Sequence, residues 1–156
     1  MPELKRTLSH LCLVSVLMLT ACAGQTKPDE TLYQRLGGLQ GVTTIVDNLL
    51  YELGSNEKLI GFFAETDIDR FRSKLIEQLC QVSDGGCEYT GDSMAQAHST
   101  MSLDQSHFDS LVNDLIAAMD AAGTPVTAQN DLLSRLVPMY DEVMHPQRYL
   151  ETDSPS

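Results

Sequence analysis

The 156-residue chain has no tryptophan, only 10 basic residues against 22 acidic ones, and four cysteines, none of them in a Cys-x-x-Cys pair. The resulting formal charge of −12 excludes a nucleic-acid binder, because displacing counterions from phosphates takes a basic face. Four Cys and four His without short metal-ligand spacings exclude classical zinc fingers, and so few cysteines exclude a disulfide-dense mini-protein. The longest apolar run, Leu11 to Leu19, is shorter than the roughly 20 residues that a membrane-spanning helix needs. What is present is a hydrophobic fraction of 42%, enough for a packed core and against wholesale disorder. The length suits one domain.

The start of the chain reads as an address. Lys5 and Arg6 precede the apolar run, and small residues follow it, the order of a secretory signal. Leu19-Thr20-Ala21-Cys22 resembles a bacterial lipobox, in which the signal is cut before the cysteine and its thiol is lipidated. The alternative is an ordinary signal peptide cut near Ala21 or Ala23, with Cys22 incidental. On the lipobox reading residues 1–21 are removed, and 22–30 form a lipidated N-terminus and polar tether. A domain over 31–146 and a frayed polar tail over 147–156 follow. Stable anchoring takes more than one acyl chain, and it would place the protein at the cell envelope, facing the periplasm or exterior.

Beyond residue 30 the hydrophobic period is helical throughout. Val42, Ile45, Val46, Leu49, Leu50 and Leu53 mark one face, with Gly54 a plausible stop. Leu59, Ile60, Phe62 and Phe63 form a short apolar knot, and Asp67 or Asp69 can cap the next helix. That helix carries Ile68, Phe71, Leu75, Leu79 and Val82, with the polar Gln78 inside the stripe. The glycine-rich stretch from Ser83 to Asp92 is a loop, followed by a short turn over Ser93 to His98. Asp104 or Ser106 can cap a helix bearing Phe108, Leu111, Val112, Leu115, Ile116 and Met119 that stops at Gly123 before Pro125. The last helix starts near Thr127, is loosened by Pro138 and ends at Pro146. The fold class is all-α.

His98 lies among Met94, Ala95, Ala97 and Met101. A neutral imidazole beside apolar surface can ligate a metal or haem iron. A lone histidine is more often an ordinary hydrogen-bonded residue, so the surrounding motifs decide. Leu32-Tyr33-Gln34-Arg35-Leu36-Gly37-Gly38, Phe62-Phe63-Ala64 with Thr66-Asp67, the Asp84-to-Gly91 stretch with its Tyr89-Thr90-Gly91, and Ser93 to His98 stand in register. His107-Phe108 and the Ala122-to-Pro125 break follow. Together they resemble the group 1 truncated haemoglobins from Thr31 to about Met144.

The resemblance implies a two-over-two helical sandwich, haem (iron protoporphyrin IX) as cofactor, and oxygen or another diatomic gas as ligand. It makes His98 the axial metal ligand and places Phe63, Phe71, Lys74, Leu75 and Tyr89 around the cofactor. The loop glycines allow sharp turns, since glycine takes positive φ without steric cost. Where the family carries a distal Tyr and Gln, this chain has Leu50 and Leu75. Tyr51 is one residue on and so turned about 100° around the helix. An unusually apolar distal pocket is expected, unless Gln78 or Lys74 reaches in. Gln78 is otherwise a rim residue. Lys74 can pair with a haem propionate, ligate the iron as a basic residue there does in some relatives, or be solvated. Arg70 and Arg72 are similarly open. Cys80 and Cys87 flank the loop and can pair in an oxidising compartment, a closure worth about 2–3 kcal/mol, or remain two thiols. His107 is expected to be exposed. Three functions compete: a haem globin binding gases, a haem-less envelope adaptor on the same scaffold, and a haem enzyme acting on nitric oxide or peroxide. Missing distal donors count against the enzyme. An electron-donating reductase is the further partner that such a haem protein admits.

Overall fold

A computed structural model describes residues 30–151. The signal and Cys22 therefore lie outside the described residues, as do residues 152–156. Every regular element described is helical: α1 (Leu32–Arg35), α2 (Gly38–Ser55), a 3-10 turn (Ile60–Phe63), α3 (Ile68–Val82), α4 (Met94–His98), α5 (Gln105–Ala121), α6 (Val126–Leu136), a second 3-10 turn (Val137–Met139), α7 (Tyr140–Met144) and α8 (Gln147–Leu150).

The helical periodicity becomes the core. Val42, Ile45, Val46, Leu49 and Leu53 of α2 are all buried. They meet Leu115, Ala118 and Met119 of α5 and Leu132 of α6 in one apolar cluster. α2 packs most extensively on α5 and next on α3, while α3 also contacts α6. One layer is α2 and α3; the other is α5 and α6 with its continuation. This is the two-over-two sandwich.

Polar bonds fix the register between the layers. Asn48 donates to the Ala118 carbonyl (3.1 Å) and Asn56 to Asp114 (2.6 Å) and Ser110 (2.9 Å). Within the first layer, the Arg72 guanidinium grips Asp47 of α2 through both carboxylate oxygens, at 2.5 and 2.9 Å. That pair holds the Asp47 carboxyl below its ordinary value, since a charged donor favours the ionised form.

Helix ends follow local chemistry. Asp67 accepts from the Arg70 N–H and so caps α3. Asp104 accepts from the Ser106 and His107 N–H groups and caps α5. Pro138 falls in the 3-10 turn that separates α6 from α7, because it cannot donate to the helical ladder.

Three expectations are corrected. α2 runs through Gly54 to Ser55. His107 is not an exposed residue: its side chain is 23% accessible, its ring stands edge-on to Phe62 at 5.1 Å, and its Nδ1 accepts the Asp104 N–H. The segment after Pro146 begins as a helical turn, α8, rather than a frayed tail, since it packs against α4 and Gln147 donates to the Ser99 carbonyl.

Two glycines of α2 should behave oppositely. A Cβ on Gly41 would lie 1.9 Å from the Leu36 carbonyl oxygen, whereas one on Gly54 meets nothing within 4 Å. Gly41→Ala should cost about 3 kcal/mol, the upper end for overpacking. Gly54→Ala should gain about 0.5–1 kcal/mol from helix propensity. Urea unfolding of the two variants measures both.

Candidate functional site

The glycine-rich chain after α3 does not wander. It turns at Ser83 to Gly86 and returns antiparallel along α3, pinned at successive points. Cys80, fully buried in the last turn of α3, is disulfide-bonded to Cys87 with the Cα atoms 5.7 Å apart. One step further, Glu77 accepts from the Thr90 N–H (3.1 Å) and hydroxyl (2.9 Å). Lys74 binds both Glu77 oxygens at 2.9 Å and the Thr90 hydroxyl at 2.5 Å. Nearer the start of α3, Arg70 pairs with Asp92 at 3.7 Å. Arg135 of α6 closes the turn by donating to the Val82 carbonyl and to Asp84.

The glycines permit this return in two ways. Gly86 has φ of +75°, a value glycine adopts freely. Gly85 is needed for lack of a side chain: a Cβ there would sit 2.5 Å from Cys80 Sγ and 2.7 Å from the Tyr33 ring.

The returning chain delivers α4. Ser93 caps it through a reciprocal box with Gln96. His98, half-buried at its C-terminal end, has Nδ1 at 2.8 Å from the Met94 carbonyl. A carbonyl only accepts, so Nδ1 carries the proton and the lone pair lies on Nε2. That is the tautomer of a metal-ligating histidine, with the backbone bond fixing ring orientation and raising basicity. Among the described residues no three His, Cys, Asp or Glu side chains cluster to hold an ion. A single imidazole therefore suits a metal that brings its own equatorial nitrogens, as in a porphyrin.

An apolar face is formed by the first 3-10 turn and α3. Phe63 and Phe71 stack at 5.2 Å with a tilt of 51°, and with Leu75 they pack on the core while staying only partly buried. Leu50 is likewise half-buried. Tyr51 is 74% exposed and does not join this face. Lys74 is engaged by Glu77 and Thr90, so of its three readings none is the bond it makes here. Arg72 is on Asp47 and Arg70 on Asp92. Tyr89 is half-buried over Gly91, with its hydroxyl donating to the Asp92 carbonyl; burial, then Asp92 and Glu77, push its phenol up. Gln78 directs its amide to Met94 and Met139 sulfur. Sequence reasoning missed Glu77, Thr90 and Met94. The three-residue step from Lys74 to Glu77 was a signal for an ion pair. Nothing local announced Thr90 as its partner.

An all-helical two-over-two sandwich, with a glycine-rich return leading to a short helix that ends in His98, is the arrangement of a truncated globin. A family model for bacterial-like globins matches residues 31–145, and the chain belongs to that family. The group 1 truncated haemoglobin of Nostoc sp. is 30% identical over 74% of this chain and 98% of its own. That of Mycolicibacterium paratuberculosis is 29% identical over 72% and 83%. The solved Fe(III) truncated haemoglobin of Tetrahymena pyriformis superposes with a TM-score of 0.68 at 25% identity, over 73% of this chain and 97% of that one. The 2/2 haemoglobin of a Synechococcus species, solved in the cyanomet state with covalently attached haem, shares the fold at a TM-score of 0.68 and 21% identity, over 73% and 98%.

Acid should loosen the returning loop. Bonds from Lys74, then from the Thr90 N–H and hydroxyl, hold the Glu77 carboxyl below its ordinary 4.5. A depressed carboxylate contributes stability above its unfolded-state value and loses it as pH falls through the folded-state value. Thermal unfolding followed between about pH 5 and pH 3 should show a shallower fall for Glu77→Gln than for the wild type, from a lower starting point.

Proposed function

We propose that this chain binds haem through His98 and takes oxygen or another diatomic gas on the opposite, apolar side. The observation that carries this is the His98–Met94 bond, which leaves Nε2 as the sole ring acceptor. The chain's residues fit the group: a flat, mostly apolar ring suits half-buried aromatic and aliphatic faces, and its iron lacks only the axial nitrogen. When bound, the haem supplies an iron with an open position for a small neutral ligand. His98 would hold the iron, and the apolar side chains of Phe63, Phe71 and Leu75 would pack on the ring. The relatives' printed names, group 1 truncated haemoglobin, support the same reading.

Gas binding is favoured over catalysis because Leu50 and Leu75 offer no hydrogen bond to a ligand, and electrostatic stabilisation of an activated ligand requires a placed donor. The nearest amide, that of Gln78, is directed to sulfur. An electron-donating reductase completes the proposal, since a ferric iron must be reduced before it takes oxygen.

We also infer that the protein is an envelope lipoprotein anchored through Cys22. Leu19-Thr20-Ala21-Cys22 supports processing there, and the oxidised Cys80–Cys87 pair suits an exported protein rather than a reducing cytosol.

Purified protein mixed with haemin should develop a Soret band that shifts on reduction and again on adding carbon monoxide. His98→Ala should lose the complex or weaken it by at least about tenfold, as expected for removing an oriented ligand. An unaltered spectrum in that variant would refute His98. For the anchor, intact mass of membrane-fraction protein should correspond to a chain starting at an acylated Cys22, and Cys22→Ser should leave the membrane fraction or stay unprocessed. A different, unacylated N-terminus rejects lipidation.

A further inference from the structure

Gln78 is the one polar residue in the apolar stripe of α3, and its place is not explained by solvent: it is only partly exposed. Its Nε2 lies 3.2 Å from Met94 Sδ and 3.5 Å from Met139 Sδ. Both neighbours are thioether acceptors, so the amide must present N–H to them. One side chain thus joins three segments: α3, α4 and the 3-10 turn Val137–Met139 that follows α6.

Met94 is bound twice. Its side chain accepts from Gln78, and its backbone carbonyl accepts the His98 Nδ1–H. α4 has five residues, too few to hold a helix by propagation alone. Its principal packing neighbours, α7 and α8, are themselves short. The orientation of the His98 ring therefore depends on what steadies Met94 from outside.

We infer that Gln78 is a positioning residue for His98, acting through Met94. The inference rests on His98 being the axial haem ligand and extends that reading to the residue that aims it. An apolar side chain at this position would fill the same space but impose no direction. The amide does impose one, because a hydrogen bond weakens steeply off axis. The bond to sulfur is weak, so its role is to bias ring orientation rather than to add stability. This also accounts for a polar residue on the distal helix that offers its N–H away from the gas side and toward the proximal helix.

The test uses Gln78→Met, which keeps length and bulk but removes the donor, Met94→Leu, which removes the acceptor, and the double variant. In the haem-free protein, nitrogen-15 NMR of the His98 ring, assigned by its absence in His98→Ala, reports solvent exchange of Nδ1–H. Exchange should quicken about threefold to tenfold in each single variant, the factor for losing one modest hydrogen bond. The double variant should be no faster than either single one, since both remove the same link. In the haemin-loaded, reduced protein, the iron–histidine stretching band should shift or broaden in the same variants. Wild-type exchange and band position in both single variants overturn the inference, as do effects that add in the double variant. A wild type that takes up no haemin would overturn the haem reading instead. The exchange measurement on the haem-free chain would still decide whether Gln78 orients His98.

Discussion

The site depends on the return of the chain along α3. A five-residue helix such as α4 cannot place an imidazole by itself, because so short a segment barely exceeds its own nucleus. What places it is the strip from Gly85 to Asp92, attached to α3 by a disulfide at one end, a Glu77–Thr90–Lys74 cluster in the middle and an Arg70–Asp92 pair at the other. Each attachment removes freedom from a segment with no regular structure of its own. α4 then starts at a defined point beside α3. Its last residue, His98, is oriented by its bond to the Met94 carbonyl.

The scarcity of cations gains meaning in this light. Of the basic side chains in the described residues, Arg35, Arg70, Arg72, Lys74, Arg135 and Arg148 each meet a carboxylate; Lys58 has no such pair among them. Exposed pairs contribute little stability one at a time, about 0–1 kcal/mol. Their location matters more than their strength. Arg72 ties α3 to α2, Arg35 ties α1 to α6, and Arg135 ties α6 to the turn after α3. The surplus acid is left on the surface, where it opposes nucleic acid and anionic lipid alike.

The two sides of the site are built from different physics. One is shape: the aliphatic and aromatic faces of Phe63, Phe71 and Leu75. The other, around α4, is hydrogen bonding: a capping box at Ser93, a carbonyl on His98 Nδ1, an amide on Met94 sulfur. The polar contacts gather on α4 and the His98 ring, while the side chains of Phe63, Phe71 and Leu75 are apolar.

Much of this was legible in the residues. Periodicity alone located α2, α3, α5 and α6, because burying one helical face demands apolar residues every three to four positions. Asp67, Asp104 and Pro138 marked ends and breaks through local chemistry that needs no tertiary context. The register of several motifs pointed to the family and to His98. Partners across the fold were not legible. Lys74 stayed open among three roles until Thr90 and Glu77 met it. Gln78 stood open between the distal pocket and its rim, and the two sulfurs it meets come from distant segments. His107 looked exposed until Phe62 packed against its ring. Local sequence determines which faces are apolar and where helices stop. Which donor meets which acceptor depends on loops that bring together residues 16 or 61 positions apart, as for Gln78 with Met94 and with Met139. Only the packed chain sets those distances.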